Sequence, residues 1–97
     1  MRQMLVIFVD ADHKADVEQI LDEYEPLGYS MIPEVLGKGV TGRKFGSRAF
    51  PGSSACYVAA VTDECEQKVV SRLQTLAAEK GTAEGLKVYS LAAQEKV

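Results

Sequence analysis

The segment Gly37–Ser54, GKGVTGRKFGSRAFPGSS, combines glycines with basic side chains and contains no acidic residue. Glycine lets backbone N–H groups approach an anion closely, and lysine or arginine adds positive charge. These residue types favour binding of a small anion or of an acidic partner surface, and a merely solvated loop is the alternative. The formal charge of the whole chain is −3, so we expect no nucleic acid as a partner.

Two phosphate-binding motifs are excluded by the residues that follow these glycines. Gly37, Gly39 and Gly42 have the G-x-G-x-x-G spacing of a dinucleotide-binding turn, but that turn must open a helix. The next residues, RKFGSRAFPGSS, contain two more glycines and a proline, which predict no helix. A P-loop needs Gly-Lys-Ser/Thr, whereas Gly42 precedes Arg43. We therefore predict a strand that turns sharply into a long basic loop.

No pairing of a nucleophile with a base is identifiable, so we predict that the protein is not an enzyme. His13 is the only histidine, and a metal site built from His13, Asp10 or Cys65 is an open alternative. The simpler interpretations are a helix cap for Asp12 and a partly buried, inert thiol for Cys65. We predict no metal ligands.

Strands and helices that would position these residues alternate along the chain. Apolar runs predict strands, and apolar residues at helical spacing predict helices between them. The predicted strands are Met4–Asp10, Tyr29–Leu36, Ala55–Val61 and Leu86–Ala92. Asp12 is predicted to begin the first helix, and Asp63 with Glu66 the second as a capping box. The order β-α-β-β-α-β predicts an α+β, ferredoxin-like sandwich with a four-stranded antiparallel sheet and two helices on one face.

The length and the cysteine content of the chain indicate its number of domains and argue against disulfide or metal staples. We expect one domain over residues 1–97, with a modest core. Cys56 and Cys65 match neither a disulfide framework nor a metal-ligand spacing. No apolar run approaches the roughly 20 residues of a membrane span, so the cytoplasm is the expected location.

The first and third predicted strands are apolar at consecutive positions, so both of their faces should be shielded from water. Two helices cover only one face of a four-stranded sheet. We therefore predict that another copy of the chain covers the other face. The alternative is a monomer that carries the small residues Ala55, Ala59 and Ala60 on its open face.

The stretch DVEQILDEYEPLGYSMIPEVLGKGVTGRKFG resembles the first half of the nitrogen-regulatory P-II signalling proteins. A Glu-Val-x-Gly-x-Gly pattern followed by Gly-Arg carries this resemblance, in Glu34, Val35, Gly37, Gly39, Gly42 and Arg43. The stretch VAAVTDECEQKVVSRLQTLAAEKGTAEGLKVYSL is similar to the strand, helix, glycine loop and strand of the family's second half. The resemblance covers nearly the whole chain.

The resemblance implies a homotrimer that acts as a regulator in nitrogen signalling. Clefts between its subunits would bind a small anionic effector, with the adenine nucleotides ATP, ADP and AMP as candidates, and no cofactor is certain. The long loop would engage a regulated protein, such as a transporter or an enzyme. A small trimeric metal-binding or metal-tolerance protein on the same fold is the alternative function.

The resemblance also implies which residues form the sites. The ligand-binding residues are Gly37, Lys38, Gly39, Arg43, Lys44, Gly85 and Lys87. The residues of the partner-binding loop are Phe45, Arg48 and Phe50. The chain departs from the family at Lys44, where the family has a glutamine, and at KGTAEGLK, which replaces a Gly-Asp-Gly-Lys loop.

Overall fold

The computed structural model describes residues 2–24, 27–39, 42–44, 53–80 and 85–97. These residues form strands, two α-helices and a short 3-10 helix at Ala11–His13. The strands are β1 (Arg2–Asp10), β2 (Tyr29–Val35), β3 (Gly37–Gly39), β4 (Gly42–Lys44), β5 (Ser54–Val61) and β6 (Leu86–Ala93). The helices are α1 (Lys14–Tyr24) and α2 (Asp63–Lys80).

The main sheet contains β1, β2, β5 and β6, and its strand order is β2-β5-β1-β6 with every neighbouring pair antiparallel. Both α-helices pack on one face of this sheet, against β1 and β5. The predicted α+β, ferredoxin-like arrangement is therefore confirmed. The structure adds a feature that the sequence did not predict. The strands β3 and β4, which follow β2 and precede β5 in the chain, form a separate two-stranded sheet.

The core lies between the helices and one face of the sheet. Leu5, Ile7 and Val9 of β1 are fully buried because alternate residues of a strand face the same side. The register places Leu5 opposite Ala59 and Ile7 opposite Tyr57 of β5. The helices complete the core with Val17, Ile20, Leu21, Val69, Leu73 and Leu76.

The other face of the sheet is also apolar. Three rows of residues cross it, and they are Ser30-Val58-Val6-Tyr89, Ile32-Cys56-Phe8-Lys87 and Ala60-Met4-Leu91. We call these residues the open face, because neither helix of the described part packs on them. Ile32, Tyr89 and Leu91 are 52%, 57% and 52% exposed. The strands are thus apolar on both faces, as the sequence predicted, and only one face is covered within the chain.

The alternative of a monomer with small residues on its open face is wrong for two of three positions. Ala55 and Ala59 are buried on the helix side of β5, and only Ala60 belongs to the open face. The consecutive apolar residues of β5 made the two sides indistinguishable in the sequence. The open face therefore carries large side chains such as Phe8 and Leu91. Burial of these side chains by a second copy of the chain would contribute more free energy than burial of alanines.

Both helix starts differ from the predicted caps. Asp12 lies inside the 3-10 helix that precedes α1, so it is not the cap of that helix. The hydroxyl of Thr62 accepts a hydrogen bond from the N–H of Cys65 at 3.2 Å, and the Thr62 carbonyl accepts one from Glu66 at 2.8 Å. Thr62 rather than Asp63 is thus the N-cap of α2. Within the described chain, neither helix is long and apolar enough to cross a membrane.

Strand β2 forms one edge of the sheet and is irregular there. Its register with β5 shifts between Ile32 and Val35, which brackets Pro33, a residue type that is confined to edge strands and bulges. The chain enters β2 through Gly28, whose φ of +145° is unfavourable for any residue with a side chain.

Helix α1 is attached to the sheet by a buried tyrosine. The Tyr57 hydroxyl donates to Glu18 Oε1 at 2.8 Å, and it lies 3.3 Å from the carbonyl oxygen of Lys14. Burial, followed by the hydrogen bond to Glu18, raises the pKa of Tyr57. This side chain therefore stays neutral and fixes α1 over β5.

The exposed open face generates a test of assembly. Leu91→Asp places a carboxylate on this face, where association would bury the charge at high cost. We expect the wild-type chain to sediment at about three times 10.5 kDa at micromolar concentration, and the variant to sediment as a monomer. Sedimentation equilibrium measures both masses.

The matched control is Leu27→Asp, because Leu27 is 56% exposed and lies before β2, outside the sheet. This variant should keep the wild-type mass. A wild-type chain that sediments as a monomer would contradict the trimer.

Candidate functional site

The predicted ligand-binding residues are connected to one end of the main sheet. At this end β1 and β2 finish, and β5 and β6 begin. The register pairs Ser54 with both Val35 and Asp10, and it pairs Leu86 with Val9. One end of the sheet therefore carries the roots of both glycine segments, one leading from β2 and one leading into β6.

The first glycine segment begins as a hairpin. Gly37 pairs with Lys44, Lys38 with Arg43, and Gly39 with Gly42. Five of the seven predicted ligand-binding residues thus belong to one ladder, which we call the basic hairpin (residues 37–39 and 42–44). The Rossmann interpretation is excluded here too, because Gly42 begins a strand and not a helix.

The second glycine segment contains Gly85 and Lys87, and it lies against the end of β1. The Gly85 carbonyl accepts a hydrogen bond from the N–H of Asp10 at 3.0 Å. The Asp10 carboxylate lies so close to Gly85 that an added Cβ would overlap its Oδ2 and stand 2.8 Å from its Cγ. The sequence named Asp10 as a candidate metal ligand and did not predict this contact with Gly85.

The two segments do not meet within one chain. The basic hairpin follows β2 and Gly85 precedes β6, and these strands are the opposite edges of the sheet. β5 and β1 lie between them, so three strand spacings of about 4.8 Å separate the edges by roughly 14 Å. The structure therefore brings together residues 37–39 and 42–44 and, separately, Gly85 and Lys87.

The predicted partner-binding residues Phe45, Arg48 and Phe50 lie outside the described residues. Their role stays a prediction. The root of their segment is described, because the Ser53 carbonyl accepts a hydrogen bond from the N–H of Ala11 at 3.1 Å. This hydrogen bond holds the 3-10 helix before α1 against the residue that precedes β5.

The candidate metal ligands do not form a cluster. His13 Nδ1 lies 3.6 Å from Asp16 Oδ2, whereas the Cys65 thiol lies 3.5 Å from the Tyr24 carbonyl oxygen. Across the described ranges, no group of three or more His, Cys, Asp or Glu side chains could hold a metal ion. The alternative of a metal-binding protein has no support from this part of the chain.

Both thiols are poor nucleophiles at neutral pH. Burial raises the pKa of Cys65, and Glu64 adds to the rise while Lys68 opposes it. Burial also raises the pKa of Cys56. Each thiol therefore stays protonated, and the interpretation of Cys65 as a partly buried, inert residue is supported.

The fold and the two glycine segments define a class, a ferredoxin-like α+β chain with both glycine segments at one end of its sheet. The sequence matches no family model and no curated protein. Solved structures do match it. The PII-like protein CPII of Thiomonas intermedia K12, bound to ADP, AMP and bicarbonate, aligns with a TM-score of 0.71 at 21% identity, over 93% of this chain and 85% of CPII.

Two further structures extend the comparison. A PII-like signalling protein of Thermus thermophilus aligns with a TM-score of 0.69 at 17% identity, over 93% of this chain and 84% of that chain. A DUF3240 family protein of Shewanella baltica aligns with a TM-score of 0.74 at 14% identity, over 99% and 93%. The chain therefore has the PII-like fold, and the resemblance found in its sequence is confirmed at the level of the fold.

The two glycine segments differ in a way that substitution can measure. Gly85→Ala would force a methyl group into the Asp10 carboxylate, whereas a methyl group at Gly37 would meet no atom within 4 Å. We expect Gly85→Ala to lower the free energy of unfolding by about 1–3 kcal/mol. Gly37→Ala should change it by less than about 1 kcal/mol.

Urea denaturation at matched protein concentration measures both values. Equal effects of the two substitutions would show that Asp10 does not restrict Gly85.

Proposed function

We propose that this protein is a divergent PII-like regulator without catalytic activity, a homotrimer that binds a small anionic effector between its subunits. Adenine nucleotides (ATP, ADP or AMP) are the candidate effectors. The segment Gly37–Ser54 contacts a regulated partner protein, such as a transporter or an enzyme. A role in nitrogen regulation and a cytoplasmic location belong to the same proposal.

The observation that carries this proposal is the position of the two glycine segments. They lie at the same end of the sheet but at opposite edges, roughly 14 Å apart. In a closed ring of identical subunits, one edge of each subunit can face the opposite edge of the next. Such an arrangement brings the basic hairpin of one subunit to Gly85 and Lys87 of its neighbour.

The open face supports the assembly that this site needs. Ile32, Tyr89 and Leu91 are half exposed, and full burial of a large apolar side chain contributes roughly 1.5–3 kcal/mol. A covering copy of the chain would remove this apolar surface from water. The same contact would hold the edges of neighbouring subunits side by side.

Charge in the basic hairpin supports an anionic ligand. Three of its six residues, Lys38, Arg43 and Lys44, are basic, and the register places them on one short pair of strands. The other three are glycines, a residue type that lets backbone N–H groups approach an anion closely.

The ligands of a structural neighbour support the choice of effector. CPII of Thiomonas intermedia was crystallised with ADP, AMP and bicarbonate, which are all anions. The shared fold makes adenine nucleotides the first effectors to test on this chain.

Loss of one cation from the basic hairpin tests the ligand site. A charge-assisted contact to phosphate contributes roughly 1.5–3 kcal/mol, so Arg43→Ala should weaken ADP binding about ten- to a hundredfold. The trimer should remain intact, because Arg43 lies outside the main sheet. Added salt should weaken binding more in the wild type than in the variant.

Calorimetry at two salt concentrations gives these affinities. The matched control is Lys96→Ala, which removes the same charge from an exposed residue after β6, at the other end of the sheet. Wild-type ADP affinity in Arg43→Ala would place the ligand elsewhere.

A further inference from the structure

The last residue of β1, Asp10, is held between the roots of both glycine segments. Its N–H donates to the Gly85 carbonyl at 3.0 Å, and the N–H of the next residue, Ala11, donates to the Ser53 carbonyl at 3.1 Å. Gly85 leads into β6, whereas Ser53 ends the segment that begins with the basic hairpin. These two hydrogen bonds fix the backbone on either side of the Asp10 carboxylate.

The carboxylate itself is in contact with a predicted ligand-binding residue. Asp10 Oδ2 and Cγ occupy the space where a side chain on Gly85 would begin, and Asp10 is only partly exposed. The carboxylate therefore lies against the backbone of Gly85, a predicted ligand-binding residue. A negative charge thus stands beside the second glycine segment, where an anion is expected.

Lys87, the cation of the second glycine segment, shares these surroundings. Phe8 pairs with Lys87 across β1 and β6, and Asp10 lies two residues beyond Phe8 on the same side of β1. Such diagonal positions are within reach of a long side chain. The formal charges of Asp10 and Lys87 cancel, so this part of the site contributes little net attraction to a highly charged ligand.

We propose that Asp10 determines ligand specificity by charge, favouring a nucleoside monophosphate over a nucleoside triphosphate. The proposal rests on the anion site proposed above. Repulsion between two charges about 8 Å apart, at an effective dielectric constant near 40, changes affinity roughly fivefold for each added ligand charge. Metal-free ATP carries about two more charges than AMP, so Asp10 should favour AMP by about ten- to thirtyfold.

Calorimetry with AMP and with ATP, in EDTA and at low salt, tests this on the full chain. The variant is Asp10→Asn, which removes the charge and keeps the shape. We expect the preference for AMP to shrink by about ten- to thirtyfold, chiefly through tighter ATP binding. Glu95→Gln removes the same charge beyond the other end of β6 and should keep the wild-type preference.

A purely structural role for Asp10 gives a different result. Asp10→Asn would then change the affinities for AMP and ATP by the same factor, and this outcome overturns the proposal. Asp10→Ser, also neutral and smaller, is measured in parallel in case the asparagine variant does not fold, with a thermal melt to check folding.

The outcomes separate this proposal from the proposed function. Equal effects on both ligands would refute the specificity role and leave the adenine-nucleotide site standing. A wild-type chain that binds neither nucleotide, with an asparagine variant that gains ATP binding, would support the role of Asp10 and show that the natural effector is a less charged anion. Absence of binding in every variant would refute both.

Discussion

The structure depends on a sheet that is apolar on both faces while its two helices cover only one. In β1, Leu5 and Ile7 are buried beneath the helices, whereas Val6 and Phe8 belong to the open face. One copy of the chain thus buries its core by itself, whereas its second apolar surface, the open face, is not covered by a helix. Burial of apolar surface is the main favourable term in both folding and association, so the same strands specify the fold and favour assembly.

In the proposed trimer, the strand order would bring the two halves of the binding site together. The order β2-β5-β1-β6 places the basic hairpin and Gly85 at opposite edges of one end of the sheet. The basic hairpin contributes cations, whereas the Gly85 segment lies against the carboxylate of Asp10 at the end of β1. Assembly through the open face would join the two halves. A bound anion would then be attracted by the cations of the basic hairpin and repelled by the Asp10 carboxylate.

The sequence was sufficient to predict the order of elements but not the details at their ends. Apolar runs and helical spacing predicted the main strands and helices, because burial requires those periods. The β3–β4 ladder was missed, since glycine and lysine carry no strand signal and the pairing depends on backbone hydrogen bonds. The contact of Asp10 with Gly85 was missed because it joins residues far apart in the chain. Thr62 was passed over for Asp63, one residue away, since both types cap helices well.

In the proposed trimer, each site combines the basic hairpin of one subunit with the Gly85 segment of its neighbour. Mixing two variants that each lack one cation, Arg43→Ala and Lys87→Ala, tests whether the site is shared in this way. If subunits reassemble at random, about one quarter of the sites between neighbours regain both cations, and calorimetry should detect wild-type affinity for ADP at that fraction. If each site lies within a single chain, no mixture restores high-affinity binding, and that result would rule out a site shared between subunits.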